Sequence, residues 1–139
     1  MRDILFRGKR IDNGEWEYGY IVHTGDFPNG DCRDEHLLDF WVITNGYTQH
    51  EINPDTVGQF TSLFDKHIKK IFEGDIVKIE SNEYGEREPS IFYVYWNEPE
   101  ACFSTKIIQD GGYVSDLENA MIAGEIIGNI CDNPELLEV

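Results

Sequence analysis

The chain is poor in cysteine, in long apolar runs and in basic residues, and each shortage excludes a class of protein. Its three cysteines, Cys32, Cys102 and Cys131, are too few and too scattered for a disulfide framework. The longest apolar run, Ile91–Trp96, has six residues, whereas a membrane-spanning helix needs about 20. The apolar run Ile4–Phe6 is too short for a secretory signal. We therefore expect a cytoplasmic protein without a membrane segment.

Basic residues are heavily outnumbered. The chain has 27 Asp and Glu against 11 Lys and Arg, a formal net charge of −16. The imbalance is greatest over residues 72–139, where 15 acidic and three basic residues give a net charge of −12. Such a surface repels phosphate backbones, so nucleic acid is not the expected partner. It favours solubility, and it would attract a basic protein partner, such as the DNA-binding face of another protein.

The first ten residues depart from this acidic character. They contain four bases, Arg2, Arg7, Lys9 and Arg10. Such a segment is able to contact nucleic acid. Because the chain has so many carboxylates, we expect these bases to pair with acidic neighbours instead. Nucleic-acid binding by these four residues is kept as the alternative function.

The length of 139 residues suits one domain or two small lobes that share a core. Eight Phe, seven Tyr and three Trp supply bulky side chains for that core. A domain of this size buries about 68–70% of its unfolded surface. Neither a disulfide nor a structural metal is therefore needed for stability.

Asn-Gly pairs, which favour tight hairpin turns, punctuate the first half of the chain. The first pair separates the predicted strands Ile4–Ile11 and Glu15–His23, and the last separates Leu38–Thr44 and Tyr47–Ile52. Within the second strand, alternation places three aromatic residues on one face. The pairs are Asn13-Gly14, Asn29-Gly30 and Asn45-Gly46, and the aromatic residues are Trp16, Tyr18 and Tyr20.

The second half predicts strands joined by turns, with one short helix near the end. Strands are expected at Asp75–Glu80, Ile91–Trp96, Ala101–Ile108 and Ile126–Cys131, and a helix at Asp116–Ala123. The continuous apolar run of the second of these strands predicts burial on both faces. This order of elements resembles a small SH3-like barrel. We therefore expect a mainly β protein with short helical turns, in which an N-terminal β-hairpin lobe (residues 1–61) packs with a C-terminal SH3-like barrel lobe (residues 62–139).

Short motifs follow one another along nearly the whole chain. They are Phe6-Arg7-Gly8-Lys9-Arg10, Gly14-Glu15-Trp16 with Tyr18-Gly19-Tyr20, Asp55–Thr61, Phe72–Val77, and Ile126–Ile130 with Asn133–Leu137. As an ordered set they resemble the YopX family of phage and prophage proteins. The resemblance implies a small β-rich protein encoded by a phage or prophage. It implies no catalysis, because no activity is established for that family.

Residues 60–71 carry conflicting signals. Phe60, Leu63 and Phe64 begin a helical spacing that continues to Ile71. The YopX family usually has an Asp-Lys-Asn-Gly turn at this place, where this chain has Asp65-Lys66-His67-Ile68. The replacement removes the two residues that best tolerate a left-handed backbone. On the strength of the resemblance, we predict a turn here rather than a short helix.

No constellation of residues requires catalysis or a cofactor. Cys32 and His36 have a spacing suited to metal ligands, with His23 and His50 on neighbouring segments, but a structural zinc site needs four ligands in paired spacings. Trp16, Trp41 and Trp96 would be candidates to line a cleft with paired carboxylates, yet large aromatics at alternating strand positions usually belong to a core. No nucleophile elbow and no phosphate-binding glycine motif occurs. We predict no catalytic, cofactor-binding or metal-binding residues.

Several residues are predicted to have structural roles. Glycines at the motif positions are expected to serve backbone geometry, with a bulge or close backbone approach at Gly128. Asp75 and Asn133 are expected to bond turns and caps, and Leu136 and Leu137 to pack as an apolar plug. The other glycines assigned in this way are Gly8, Gly19, Gly58 and Gly74.

The expected function is that of a non-enzymatic, phage- or prophage-encoded accessory protein that binds another protein, with an acidic surface that steers the encounter. The partner would be a host or phage protein, and exposed strand edges would also permit homo-oligomers. Partner-binding residues are not identified by the sequence. Nucleic-acid binding is the alternative, and an enzyme of unrecognised type comes third.

Overall fold

Two antiparallel β-sheets account for most of the described chain. The computed structural model describes residues 3–23, 41–80, 88–111 and 123–138. Two 3₁₀ helices lie in these ranges: Pro54–Thr56 falls between two strands, and Pro134–Leu137 follows the last strand. Within these ranges, no helix has the length and apolar character that crossing a membrane requires. The chain divides into two compact units, Met1–Gln59 and Phe60–Val139.

Tight turns connect consecutive strands in the N-terminal unit. Gly14 and Gly46 have φ of 71° and 94°, as the Asn-Gly pairs predict for hairpin turns. Asn53 caps the 3₁₀ helix Pro54–Thr56, because its Oδ1 accepts a hydrogen bond from the amide of Asp55 at 3.0 Å. Four antiparallel strands surround these turns: β1 (Phe6–Lys9), β2 (Trp16–His23), β3 (Trp41–Thr44) and β4 (Gln49–Ile52).

Ile43 and Ile52 form the buried apolar centre of this unit, with exposed fractions of 1% and 0%. Gly8 allows Ile52 to approach β1, since a Cβ on Gly8 would lie 2.6 Å from Ile52 Cδ1. Gly19 has a similar role, because a Cβ there would meet the main-chain oxygen of Thr44. The predicted backbone roles of Gly8 and Gly19 are therefore confirmed.

Strand β5 (Gly58–Phe64) begins in the N-terminal unit, where its first two residues pair with β1. The rest of β5 belongs to the C-terminal unit. Later strands are β6 (Lys70–Phe72), β7 (Asp75–Ile79), β8 (Ser90–Asn97), β9 (Cys102–Gln109) and β10 (Gly124–Asn129). Hydrogen bonds give one sheet the order β4-β3-β2-β1-β5-β6 and the other the order β10-β7-β8-β9.

The core of the C-terminal unit lies on one face of the four-stranded sheet. Its buried members come mainly from alternate positions of β7 and β8, and Leu63, Phe103 and Ile126 pack against them. The buried residues are Ile71, Val77, Ile79, Phe92 and Val94.

A turn connects β5 to β6, so the turn predicted at residues 65–68 is confirmed and the helical spacing of residues 60–71 is misleading. Asp65 organises it: Oδ1 accepts the amides of His67 and Lys69 at 2.8 and 3.0 Å. Oδ2 accepts the amide of Ile126 in β10 at 3.1 Å. Ile68 takes φ of 63° in this turn, at the position where the YopX family usually has glycine.

The segment before β7 confirms the predicted role of Asp75. Its Oδ2 accepts the amide of Phe72 at 2.7 Å, and the residue is 2% exposed. Gly74 has φ of 91°, which allows the tight entry into the strand. The β10 ladder shifts register between Ile126 and Gly128, so the predicted bulge is present. A Cβ on Gly128 would also lie 2.4 Å from Asn133 Oδ1.

Three predictions for the second half need correction. The described strands form an open sheet with β9 and β10 at its edges, so the SH3-like barrel is not confirmed. Strand β8 is not buried on both faces: Phe92 and Val94 are buried on one face, whereas Tyr93 and Tyr95 on the other are only partly buried. Trp96 shares the face of Phe92 and Val94 near the end of the strand and is 42% exposed, as its amphipathic ring tolerates. Leu137 is 40% exposed and does not act as a plug.

Asn133 acts differently from the cap that the sequence suggests. Its side chain makes no cap hydrogen bond to the 3₁₀ helix that follows it. Instead, Oδ1 accepts the amide of Asn129 at 3.2 Å, which closes the turn after β10. The predicted helix at Asp116–Ala123 and the turn at Asn29-Gly30 lie wholly or largely outside the described residues.

Candidate functional site

The N-terminal sheet has two chemically different faces, because side chains alternate along each strand. The register pairs Arg7 with Tyr18, Tyr20 with Thr44, and Val22 with Val42. These side chains therefore share one face. The opposite face carries the buried apolar centre, with Ile43, and the buried Gly19. The first face is the one on which this sheet exposes a row of large apolar groups to solvent.

We define the aromatic face as the side chains of Arg7, Lys9, Trp16, Tyr18, Tyr20, Val22 and Val42. Its central residues are unusually exposed for apolar side chains on a sheet. Tyr18 is 49% exposed, Tyr20 is 62% exposed and Val22 is 37% exposed. Tyrosine, with a large rigid ring and a polar tip, is a residue type that dominates binding interfaces. An exposed row of such side chains on a rigid strand is a candidate binding surface.

Two cations lie against the tryptophan at one end of the aromatic face. The guanidinium carbon of Arg7 is 4.6 Å from the centroid of the Trp16 ring, and Lys9 Nζ is 5.5 Å from it. Both distances fall within the range of cation–π attraction. Arg7 is only 7% exposed, so its charge is largely withdrawn from solvent. These contacts hold Trp16 and β1 together at this end.

The opposite face carries a polar cluster around Arg10. Its guanidinium donates to both oxygens of Asp12, at 2.8 and 2.6 Å, and to Glu17 Oε1 at 3.4 Å. The hydrogen bond with Asp12 raises the pKa of Arg10 and lowers the pKa of Asp12. His50 Nε2 lies 3.9 Å from the same oxygen of Glu17. Arg10 is thus paired with the chain's own acidic side chains, as the sequence analysis predicts.

The four N-terminal bases do not form one described patch. Arg7 and Lys9 lie on the aromatic face, whereas Arg10 lies on the other face. Arg2 falls outside the described residues. The basic segment proposed for the alternative function is therefore divided between the two sides of the sheet.

The described residues among those considered for metal binding or catalysis are also dispersed. In the described ranges, no group of three or more His, Cys, Asp and Glu is placed to hold a metal ion. Cys32 and His36 lie outside those ranges, and His23 stacks on Trp41 with ring centroids 4.4 Å apart. Trp16 and Trp41 occupy opposite faces of the sheet, so they do not line a common cleft.

A groove of about 440 Å³ opens beside the first hairpin of the N-terminal unit. Lys9, Arg10 and Thr56 contribute to its lining. Among the residues that the structure describes, the lining contains no carboxylate, histidine or cysteine. These residues offer none of the paired acid and base groups that glycoside hydrolysis uses.

The sequence alone does not show that these tyrosines are exposed. For this reason the sequence analysis assigns no partner-binding residues. The alternation of Trp16, Tyr18 and Tyr20 with Glu17 and Gly19 does separate two faces. The glycine among these large residues is the one sequence signal for the covered face. Gly19 has no side chain because the main chain at Thr44 approaches it closely. The face of Gly19 is the buried one, and the tyrosine side is left outward.

Comparison with known proteins places the chain beside a solved structure of similar length. No curated protein matches it. The crystal structure of protein EF1440 from Enterococcus faecalis is 24% identical in sequence and superposes with a TM-score of 0.57. The similarity covers 99% of each chain. At this identity the likeness is one of fold.

The family description "YopX protein" matches residues 6–138, which span every described strand. The match includes the motif Phe6–Arg10 and the closing segment Ile126–Leu137, the two ends of the ordered set found in the sequence. The chain therefore belongs to the YopX family.

Proposed function

We propose that this YopX-family protein is a non-enzymatic accessory protein, encoded by a phage or prophage, that binds a basic partner protein through its aromatic face. The observation that carries the proposal is the exposure of Tyr18, Tyr20 and Val22 in a row on β2. Buried tyrosines at the centre of an interface often supply most of its binding energy. A partner that binds here would bury the exposed surface of these side chains and so gain affinity.

The charge of the chain supports a basic partner. A net charge of −16 on 139 residues raises the encounter rate with a positively charged protein and lowers it with another acidic one. In this division of roles, long-range attraction brings the partner close, and the tyrosines give short-range affinity. Association should then weaken as salt screens the charges, because the Debye length falls from about 14 Å at 50 mM to about 6 Å at 300 mM.

The experiment uses the whole chain as bait and compares it with the double variant Tyr18→Ala/Tyr20→Ala. Proteins captured from phage-carrying cells by the wild-type chain are purified, and their affinity is measured for each bait by titration. We expect the double variant to weaken binding by about tenfold or more. Tyr47→Ala is the matched control, since Tyr47 is 96% exposed in the turn between β3 and β4 and is not a member of the aromatic face. Circular dichroism and thermal unfolding verify that all variants fold.

Two other occupants of the aromatic face are outcomes of the same test. A labelled single-stranded oligonucleotide that binds the wild type and is lost with Tyr18→Ala/Tyr20→Ala would replace the proposal with base stacking. A dimer in sedimentation that the double variant dissociates would replace it with self-association. A captured protein that binds both baits equally would refute the aromatic face as the binding surface.

A further inference from the structure

We infer that Tyr20 binds an arginine side chain of the basic partner by a cation–π contact. The inference rests on the proposed function and names the chemistry of its contact. Tyr20 is the most exposed ring on the aromatic face, with 62% of its surface in solvent. It occupies the middle of β2, where it pairs with Thr44 of β3 and directly follows Gly19, which pairs with Phe6 of β1. A cation above such a ring would lose little of its own hydration while gaining the attraction of the ring's electron-rich face.

The same face already binds a guanidinium in this way. Arg7 lies 4.6 Å from the centroid of Trp16, which is four residues before Tyr20 on β2 and projects from the same side. The contact is made within the chain, and it shows that the spacing of the sheet lets a cation reach a ring on this surface. Arg7 and Lys9 occupy the Trp16 end. Among the described residues of the aromatic face, no cation lies at the Tyr20 end.

Charge along the sheet makes the Tyr20 end the more favourable place for an incoming cation. Glu51 projects from the same face of β4, where it pairs with Val42, which in turn pairs with Val22. Adjacent strands are about 4.8 Å apart, so β4 lies about 10 Å from β2, and the exposed Glu51 carboxylate attracts a cation near Tyr20 through space without contacting it. The electrostatic potential therefore changes sign along the surface. It is positive at Arg7 and Lys9 and negative toward Glu51.

Arginine suits this surface better than lysine does. The guanidinium is planar and weakly hydrated, so it stacks on a ring and still donates hydrogen bonds at its edge. A lysine ammonium is strongly hydrated and lacks the planar contact. At an exposed site the ring contact changes affinity by about two- to fivefold. The inference therefore predicts a modest preference that is specific to the ring.

The probe is a fluorescein-labelled nona-arginine peptide, titrated with the whole chain at about 50 mM salt and again at about 150 mM. Tyr20→Phe keeps the ring, Tyr20→Leu keeps only an apolar side chain, and Tyr47→Leu removes an exposed ring from the turn between β3 and β4. All variants keep the net charge of −16, so general attraction is constant among them. We expect Tyr20→Phe and Tyr47→Leu to match the wild type and Tyr20→Leu to bind about two- to fivefold more weakly. A nona-lysine peptide should show a smaller loss with Tyr20→Leu.

Each contrary result overturns a stated part of the inference. Equal binding by Tyr20→Leu and the wild type would show that the ring does not contribute. Equal losses with Tyr20→Leu and Tyr47→Leu would show that the peptide binds tyrosines without regard to place. Equal losses of affinity for the nona-arginine and nona-lysine peptides would refute the preference for arginine over lysine. Failure here leaves the captured partner's sensitivity to Tyr18→Ala/Tyr20→Ala unaffected, so it is distinguishable from failure of the proposed function.

Discussion

Ile52 occupies the space that a side chain at Gly8 would need: a Cβ on Gly8 would lie 2.6 Å from Ile52 Cδ1. Since Ile52 is fully buried, its side chain has little room to withdraw. We expect Gly8→Ala to lower the free energy of unfolding by about 1–3 kcal/mol, the usual cost of overpacking. Urea unfolding followed by tryptophan fluorescence measures the change.

A double-mutant cycle tests the contact itself. Ile52→Val removes Cδ1, the atom in the closest approach, and should cost about 0.5–1.5 kcal/mol in the wild-type background. In the Gly8→Ala background the same change should cost less or even stabilise, because it makes room for the new methyl group. Additive effects of the two substitutions would show that the contact does not limit this position.

Ile68 is the clearest site for a stabilising substitution. It has φ of 63°, a left-handed conformation that costs a β-branched residue about 1–2 kcal/mol. Its side chain is 80% exposed, so little packing is lost on replacement. We expect Ile68→Gly to raise the free energy of unfolding by about 0.5–1 kcal/mol, after the greater chain entropy of glycine is subtracted. Thermal and urea unfolding measure the gain.

Ile107→Gly is the matched control for that prediction. Ile107 is also an exposed isoleucine, at 51%, but it lies within strand β9 and is not among the residues with positive φ. Glycine should destabilise the protein there, since it loosens a strand and relieves no strain. If Ile68→Gly were as destabilising as Ile107→Gly, strain at Ile68 would be refuted.

Asp75 should be among the most sensitive carboxylates to truncation. Asp75→Ala removes the acceptor of the Phe72 amide, and the 2% exposure of Asp75 leaves little access for water to replace it. An unsatisfied buried donor costs about 1–3 kcal/mol, which we expect as the loss in urea unfolding. Asp55→Ala, an exposed carboxylate, should cost less than about 0.5 kcal/mol. Similar losses at the two positions would contradict the role of the bond.

Asp65 predicts a pH dependence with a definite sign. Burial by itself would raise its pKa, but the amides of Lys69, Ile126 and His67 donate to the carboxylate and hold the pKa below its ordinary value. A lowered folded-state pKa means that the charged carboxylate stabilises the fold. This stabilisation is complete above the ordinary pKa of about 4 and is lost as the pH falls through the folded-state value.

Asp65→Asn isolates that contribution. Its amide group would face the donating amide of Ile126, and we expect a loss of about 1–3 kcal/mol at pH 7. The difference from wild type should shrink below about pH 4, where protonation removes the same acceptor from Asp65. Urea unfolding at neutral and acidic pH measures it, with exposed Asp3→Asn as control. A difference that stays constant with pH would exclude the charged carboxylate as the cause.

Local sequence signals predict the parts of this fold that short-range chemistry controls. The Asn-Gly pairs at residues 13–14 and 45–46 locate hairpin turns because glycine accepts the positive φ that each turn requires. The bond from the Phe72 amide to Asp75 is predictable because the two residues are three positions apart. The isolated glycine at residue 128 signals the bulge, although the bulge itself forms where β10 pairs with the distant β7.

Burial of whole faces depends on packing between distant segments, and there the sequence is less informative. Alternation in β2 separates Tyr20 from Gly19, but alternation alone does not say which side is covered, and only the small size of Gly19 hints at it. The apolar run of β8 suggests two buried faces, whereas Tyr93 and Tyr95 on the second face are only partly buried. Closure of a barrel likewise depends on the pairing of sheet edges, which the composition of single strands does not determine.

The alternation of β2 also sets how the surface tolerates length changes. A single residue inserted or deleted between Trp16 and Val22 would exchange the two sides of the strand from that point onward. Tyr20 would then project toward the core, and Gly19 or Ile21 would take its place outside. Point substitutions can tune this surface gradually, but an odd-numbered insertion would remove it in one step while leaving the composition almost unchanged.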